Sequence, residues 1–270
     1  MSLAVPARSG RVLAVLVALA GALIAAFVVA PRLLANGTGA GFGDESDLRR
    51  ALRTAFAEYW QAGTRDFPAE LTTVVDYWFR YHLAKAVLAA MLLAVLVALA
   101  VLLWRAFLAA GAAGRGQRVT LAASGGAAAV LALCSLALVL ANAQGALTPF
   151  ASLFPLLPGD EPATVLAQVD QRLADGTRTP PLDVMIEEFA RYHVAMAALA
   201  AVTAVSLVGV CAFLWRAAVW SADRRSRRVL AVFGTFSAVL ALSMVVVAVA
   251  NTTNASDPVP GLAALFTGGW

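Results

Sequence analysis

Residues 83–104 read LAKAVLAAMLLAVLVALAVLLW, an apolar run whose one charge, Lys85, stands near its start. About 20 such residues cross the hydrocarbon of a bilayer. Backbone amides find no water there, so the run is predicted to be helical throughout. Lys85 is close enough to the end for its ammonium to reach the interface. Arg80-Tyr81-His82 stands before the run and Arg105 directly after it.

Working outward, four further segments have the same character: Val12–Ala30, Val119–Ala141, Val194–Trp215 and Val229–Ala250. None contains Asp, Glu or Arg. The 270 residues are 61% hydrophobic and 13% charged, about half the charge of an average soluble domain. A soluble globule of this composition would expose large apolar patches. Disordered, coiled-coil, collagen and disulfide-scaffold readings fail on the same figures. The expected fold is an all-α integral membrane protein with five transmembrane helices.

Basic residues in the short connections set the orientation. Arg8 and Arg11, then Arg105, Arg115 and Arg118, then Arg216, Arg224, Arg225, Arg227 and Arg228 fall on one side, with Asp223 the single acid there. Lys85 and the other segments hold the remaining 10 basic and 15 acidic residues. The Arg-rich side is read as cytoplasmic, which places the N-terminus inside and the C-terminus, at Trp270, outside the cell membrane. The net charge of +4 and pI near 9.6 then report topology, and nucleic acid is not expected as a partner. The first span is expected to be retained, because its run exceeds the roughly 7–15 residues of a signal peptide core.

The chain repeats itself. Arg80-Tyr81-His82 recurs as Arg191-Tyr192-His193, and Leu103-Trp104-Arg105 as Leu214-Trp215-Arg216, both 111 residues on. Asp76 maps to Glu187, Gly63-Thr64-Arg65 to Gly176-Thr177-Arg178, and Gly43-Asp44-Glu45 to Gly159-Asp160-Glu161. Spans one, three and five each open on Arg-Val and close on Ala-Asn, at Asn36, Asn142 and Asn251. The expected organisation is a two-helix unit used twice, residues 1–118 and 119–228, plus a fifth span and tail, 229–270. Such a parallel repeat places its pseudo-axis along the membrane normal.

The outer segments, 31–81 and 142–192, share one expected plan: a Gly- and Pro-containing stretch, an amphipathic helix, a glycine turn and the start of a long helix. Leu48, Leu52, Phe56 and Tyr59 form the apolar face of the first amphipathic helix, and Val165, Val169 and Leu173 that of the second. Gly63 and Gly176 make the turns. Pro68 and Pro181 mark the new helix starts, with Asp66 and Thr179 as caps. The segments are too short for separate cores and are expected to pack into one extracytoplasmic helical cap. Their amphipathic faces would otherwise lie on the membrane or dock a partner chain. The tail, with Leu262, Leu265, Phe266 and Trp270, reads as a membrane-surface or bundle-capping piece.

Both histidines of the chain lie in the repeated Arg-Tyr-His. Asp76 and Arg80 share a helix face at i, i+4, as do Glu187 and Arg191. Trp78 precedes His82 by one turn and Phe189 precedes His193. The candidate polar site is therefore His82, His193, Tyr81, Tyr192, Arg80, Arg191, Asp76 and Glu187. If the even spans adjoin, His82 and His193 lie at one depth and could bind haem, a transition metal or a quinone. The competing reading is interfacial structure, since Tyr, Trp, His and Arg are ordinary residues at a membrane boundary, and on it no cofactor is expected. Cys134 and Cys211 are expected as buried small hydrophobes without a disulfide. Ser124-Gly125-Gly126, Gly234 and Ser237 are expected at close helix contacts.

Walker A, GxSxG, HExxH and dinucleotide fingerprints are absent, so an enzyme is not expected. The expected role is a non-enzymatic accessory or interaction subunit whose outer helices meet a protein partner. A haem-, metal- or quinone-binding protein and a small transporter or channel component are the alternatives. Nineteen Arg to one Lys, with abundant Ala, suggests a bacterial source of high GC content.

Overall fold

The computed structural model describes residues 7–37, 41–110, 114–158 and 163–267. Gly159-Asp160-Glu161 and Trp270 lie outside them. Among the described residues the regular structure is helical: α1 (Ala7–Asn36), α2 (Glu45–Ala62), α3 (Ala69–Ala109), α4 (Arg115–Leu147), α5 (Pro149–Leu153), a 3-10 turn at Phe154–Leu156, α6 (Ala163–Asp175), α7 (Pro180–Trp220), α8 (Arg224–Ser256) and α9 (Pro258–Thr267). Five of these, α1, α3, α4, α7 and α8, are long and apolar enough to cross a membrane. The chain is an all-α, multi-pass membrane protein. Side chains such as Val15, Val28, Val202, Val205, Phe213 and Val246 are exposed along these helices, as lipid contact requires.

The helices outrun the apolar segments. α1 continues through Pro31 to Asn36, and α4 and α8 run past Asn142 and Asn251 to Leu147 and Ser256. α3 and α7 are each 41 residues long. Gly63 and Gly176 do turn the chain, with φ of 66° and 73°, a left-handed conformation that side chains with a Cβ avoid. The carbonyls of Pro68 and Thr179 accept the first helical bonds, from Thr72 and Asp183. Thr179 therefore holds the expected cap position. Asp66 does not: its carbonyl accepts from the Thr64 hydroxyl, and Pro68 takes the place before α3.

By internal contacts the chain divides into two compact units. The first comprises Met1–Pro31, Ala84–Asn142 and Val208–Ala238. Its small apolar cluster is Ala20, Leu92, Leu96 and Ala132. The buried Ser135 hydroxyl donates to the Ala89 carbonyl at 2.8 Å. Lys85 Nζ lies 4.8 Å from the centre of the Phe27 ring, so the lone span charge sits against an aromatic face. Glycine serves as a seat for tryptophan here. A Cβ on Gly125 would come 3.0 Å from Trp104 Nε1, and one on Gly234 2.8 Å from Trp215 Cδ1. Cys134 is exposed and Cys211 half-buried, which corrects the expectation of buried thiols.

The second unit comprises Arg32–Leu83, Ala143–Leu207 and Val239–Trp270. It holds the main core. Leu48, Leu52, Phe56 and Tyr59 of α2 and Val165, Val169 and Leu173 of α6 are buried with Leu71 and Val74 of α3, Leu182, Met185 and Phe189 of α7, and Leu262 of α9. The two amphipathic faces are thus consumed inside the protein, and neither is left for a membrane surface or a partner chain. The physical reason is that two short segments that cannot each build a core share one. α9 packs on α6, so the tail belongs to this core rather than to a membrane surface.

The two connecting segments differ in plan. The second inserts α5 and the 3-10 turn, which bury Phe150, Leu153, Phe154 and Leu157. Phe150 meets Tyr59, Phe67 and Phe154 with centroids 6.1, 4.7 and 5.0 Å apart. The corresponding part of the first contributes Phe42, edge-on to Tyr77 at 4.8 Å. Polar ties close the unit: Trp60 Nε1 donates to Gln168 at 2.9 Å, Trp78 Nε1 to Ser152 Oγ at 2.8 Å, and Arg53 to the Leu157 and Pro158 carbonyls.

Candidate functional site

All eight candidate residues fall in the second unit, on the lengths of α3 and α7 that carry Arg-Tyr-His. His193 is 6% exposed. Its Nδ1 lies 2.8 Å from Asn251 Oδ1 on α8. Asn251 Nδ2 donates to the Val247 carbonyl at 2.8 Å, so the atom facing the histidine is an acceptor. Nδ1 therefore carries the proton. Nε2 is buried without a hydrogen-bond partner. The Phe189 ring stands edge-on at 4.6 Å.

His82 is half-buried. Its Nδ1 lies 3.1 Å from the Trp78 carbonyl, and because a carbonyl only accepts, His82 has the same Nδ1–H form. Trp78 stands edge-on at 4.4 Å. The ring also presses on Gly145 of α4: a Cβ there would come 2.9 Å from both Cγ and Nε2, and closer still to Cδ2. Each histidine thus packs on an aromatic residue one turn earlier, and each meets the next long helix in the chain.

The charged residues do not pair as their spacing suggests. Arg80 Nε donates to the Ala35 carbonyl at 3.1 Å, and Asp76 is exposed and enters none of the ion pairs among the described residues. Arg191 pairs with Glu188 at 2.7 Å, and Glu187 pairs with Arg65 at 2.7 Å. A long-range arginine reaches Glu187, so the i, i+4 partner is not used. Tyr192 and Tyr81 lie half-buried against the core, and the Tyr192 carbonyl accepts from Gln144 at 3.0 Å.

Asn251, Gly145 and Gln144 were not among the residues singled out as a site. Asn251 carried a signal, since it closes the fifth span in the thrice-used Ala-Asn, but no local pattern links it to His193, 58 residues earlier. Among the described residues no group of three or more His, Cys, Asp or Glu is arranged to hold a metal ion. The arrangement positions two imidazoles at helix contacts and leaves one of their buried nitrogens, His193 Nε2, without a hydrogen-bond partner. Comparison with protein-family models, curated proteins and solved structures finds no match to this chain.

Proposed function

We propose that the protein is a non-enzymatic accessory or interaction subunit of the cell membrane, working through the helices that connect its spans. The observation that carries this reading is the shared core of α2, α6 and α9 with the adjoining lengths of α3 and α7. With their apolar faces consumed, these helices form a firm scaffold whose charged side chains, Glu45, Arg50 and Glu58 among them, are exposed. A preformed polar surface of this kind suits recognition of another protein without reordering.

The proposed architecture is a duplicated two-helix unit plus a fifth span, with an extracytoplasmic helical cap. Equal lengths of α3 and α7, and of α4 and α8, support duplication. So do the paired Trp–Gly seats and the asparagines Asn142 and Asn251, each donating to the carbonyl four residues before it. The proposed orientation, N-terminus in the cytoplasm and C-terminus outside, rests on the arginine distribution.

The test is photo-crosslinking in native membranes from Arg50 or Glu58, each replaced by a crosslinking amino acid. A discrete adduct with one polypeptide, lost on charge reversal of the neighbouring arginines, is the expected result. No adduct from any exposed position on α2 or α6, together with a monomeric protein in detergent, overturns the reading.

A second reading has one observation in its favour. The buried, unpartnered His193 Nε2 supports a ligand at the repeated Arg-Tyr-His, with haem, a transition metal or a quinone as candidates. A visible spectrum and metal content of the purified protein decide the first two. A colourless, metal-free preparation removes them.

A further inference from the structure

We propose that a cleft in the first unit binds the phosphate of an anionic phospholipid headgroup. Phe107 of α3, Arg115, Arg118, Val119 and Ala122 of α4, and Arg225 of α8 line it. It is shallow and open, with a volume of about 260 Å³.

Arg225 is fixed in place. Its guanidinium carbon sits 3.9 Å from the centre of the Phe107 ring, and its Nη2 donates to the Phe107 carbonyl at 2.8 Å. Arg118 is half-buried and Arg115 exposed. None of the ion pairs among the described residues engages these three arginines. The nearby acid, Asp223, accepts from the Ser226 backbone and hydroxyl at 2.8 Å. All three arginines lie in the opening turns of α4 and α8, which contain no acidic residue. Helix dipoles make those turns positive already. Asp223 offsets part of the charge at Arg225, but three arginines against one carboxylate leave a net positive charge that an anion relieves.

Guanidinium groups recognise phosphate through paired N–H donors. The remaining lining selects a lipid. Val119, 60% exposed, and Ala122 continue along α4 from Arg118 into the apolar run, so one cleft offers cations at one end and a hydrocarbon wall at the other. Basic pockets between membrane helices bind anionic headgroups by this logic. The proposal needs the long helices to cross a membrane and is independent of the accessory-subunit reading.

Native mass spectrometry of the full chain, released from detergent micelles with equimolar phosphatidylglycerol and phosphatidylcholine, tests it. One phosphatidylglycerol is expected to remain bound in preference to phosphatidylcholine. Arg115→Gln with Arg118→Gln, whose side chains form no hydrogen bond or ion pair among the described residues, is expected to weaken that binding about tenfold or more. Arg216→Gln with Arg228→Gln removes the same charge outside the cleft and is expected to leave binding unchanged. Binding that survives the first pair, or falls equally with the second, overturns the proposal. So does displacement of the lipid by millimolar inorganic phosphate, which would make the cleft a site for free phosphate. Adding Arg225→Gln tests the anchored arginine and is expected to deepen the loss.

Discussion

His193 and Asn251 are joined at 2.8 Å between imidazole Nδ1 and amide Oδ1, inside a packed core where the histidine is 6% exposed. A buried polar pair of this kind matters most when half of it is removed, because the survivor is left without water or partner. His193→Ala and Asn251→Ala are each expected to destabilise the protein. A double-mutant cycle should show a coupling of about 1 kcal/mol. Unfolding in detergent measures it, and strict additivity would refute the bond.

The contact between Gly145 and His82 makes a sterically reciprocal pair. Gly145→Ala is expected to cost about 1–3 kcal/mol, the usual range for overpacking, because the imidazole is held between the new methyl and Trp78. Combining it with His82→Ala should recover most of that loss. Failure of the second substitution to rescue the first would show that the ring is not what the methyl meets.

Tyr59 is fully buried, and its hydroxyl has no partner. Tyr59→Phe removes an unsatisfied polar group while keeping the ring contacts with Phe67 and Phe150. It is expected to be neutral or to stabilise by about 1 kcal/mol.

The same burial pushes the Tyr59 pKa from 10.0 up to about 12. Below pH 10 the phenol is neutral in both folded and unfolded chains. Between pH 10 and about 12 only the unfolded chain ionises, so stability falls as pH rises through that window. Tyr59→Phe should reduce the fall. An equally steep decline in the variant would assign the base sensitivity to other groups.

Arg65 and Glu187 pair at 2.7 Å with about half of each side chain exposed. Screening keeps such pairs weak. Arg65→Ala is expected to cost under about 1 kcal/mol, much less than either His193 or Asn251. A larger loss measured by the same unfolding assay would mean that Arg65 has a role beyond this ion pair.

Orientation can be read with an impermeant thiol reagent. In a variant with Cys134 and Cys211 replaced, a cysteine at Glu58 is expected to label in intact cells, and one at Arg224 only after the membrane is opened. The opposite pattern would invert the proposed topology.

The long helices, the turns at Gly63 and Gly176 and the apolar faces of α2 and α6 were legible in the chain itself. Each depends on neighbours along the chain. A run of apolar residues needs lipid and internal hydrogen bonds whatever surrounds it, and a glycine turn needs only local backbone freedom. Who meets whom was decided by the tertiary structure. Spacing offered Arg191 to Glu187, yet Arg65 takes that acid. The three Ala-Asn ends read as markers of repetition, yet Asn251 is a histidine's partner. The reason is distance: ion pairs and buried hydrogen bonds are set over a few ångströms between segments tens to more than a hundred residues apart, and no periodicity records which segments will meet.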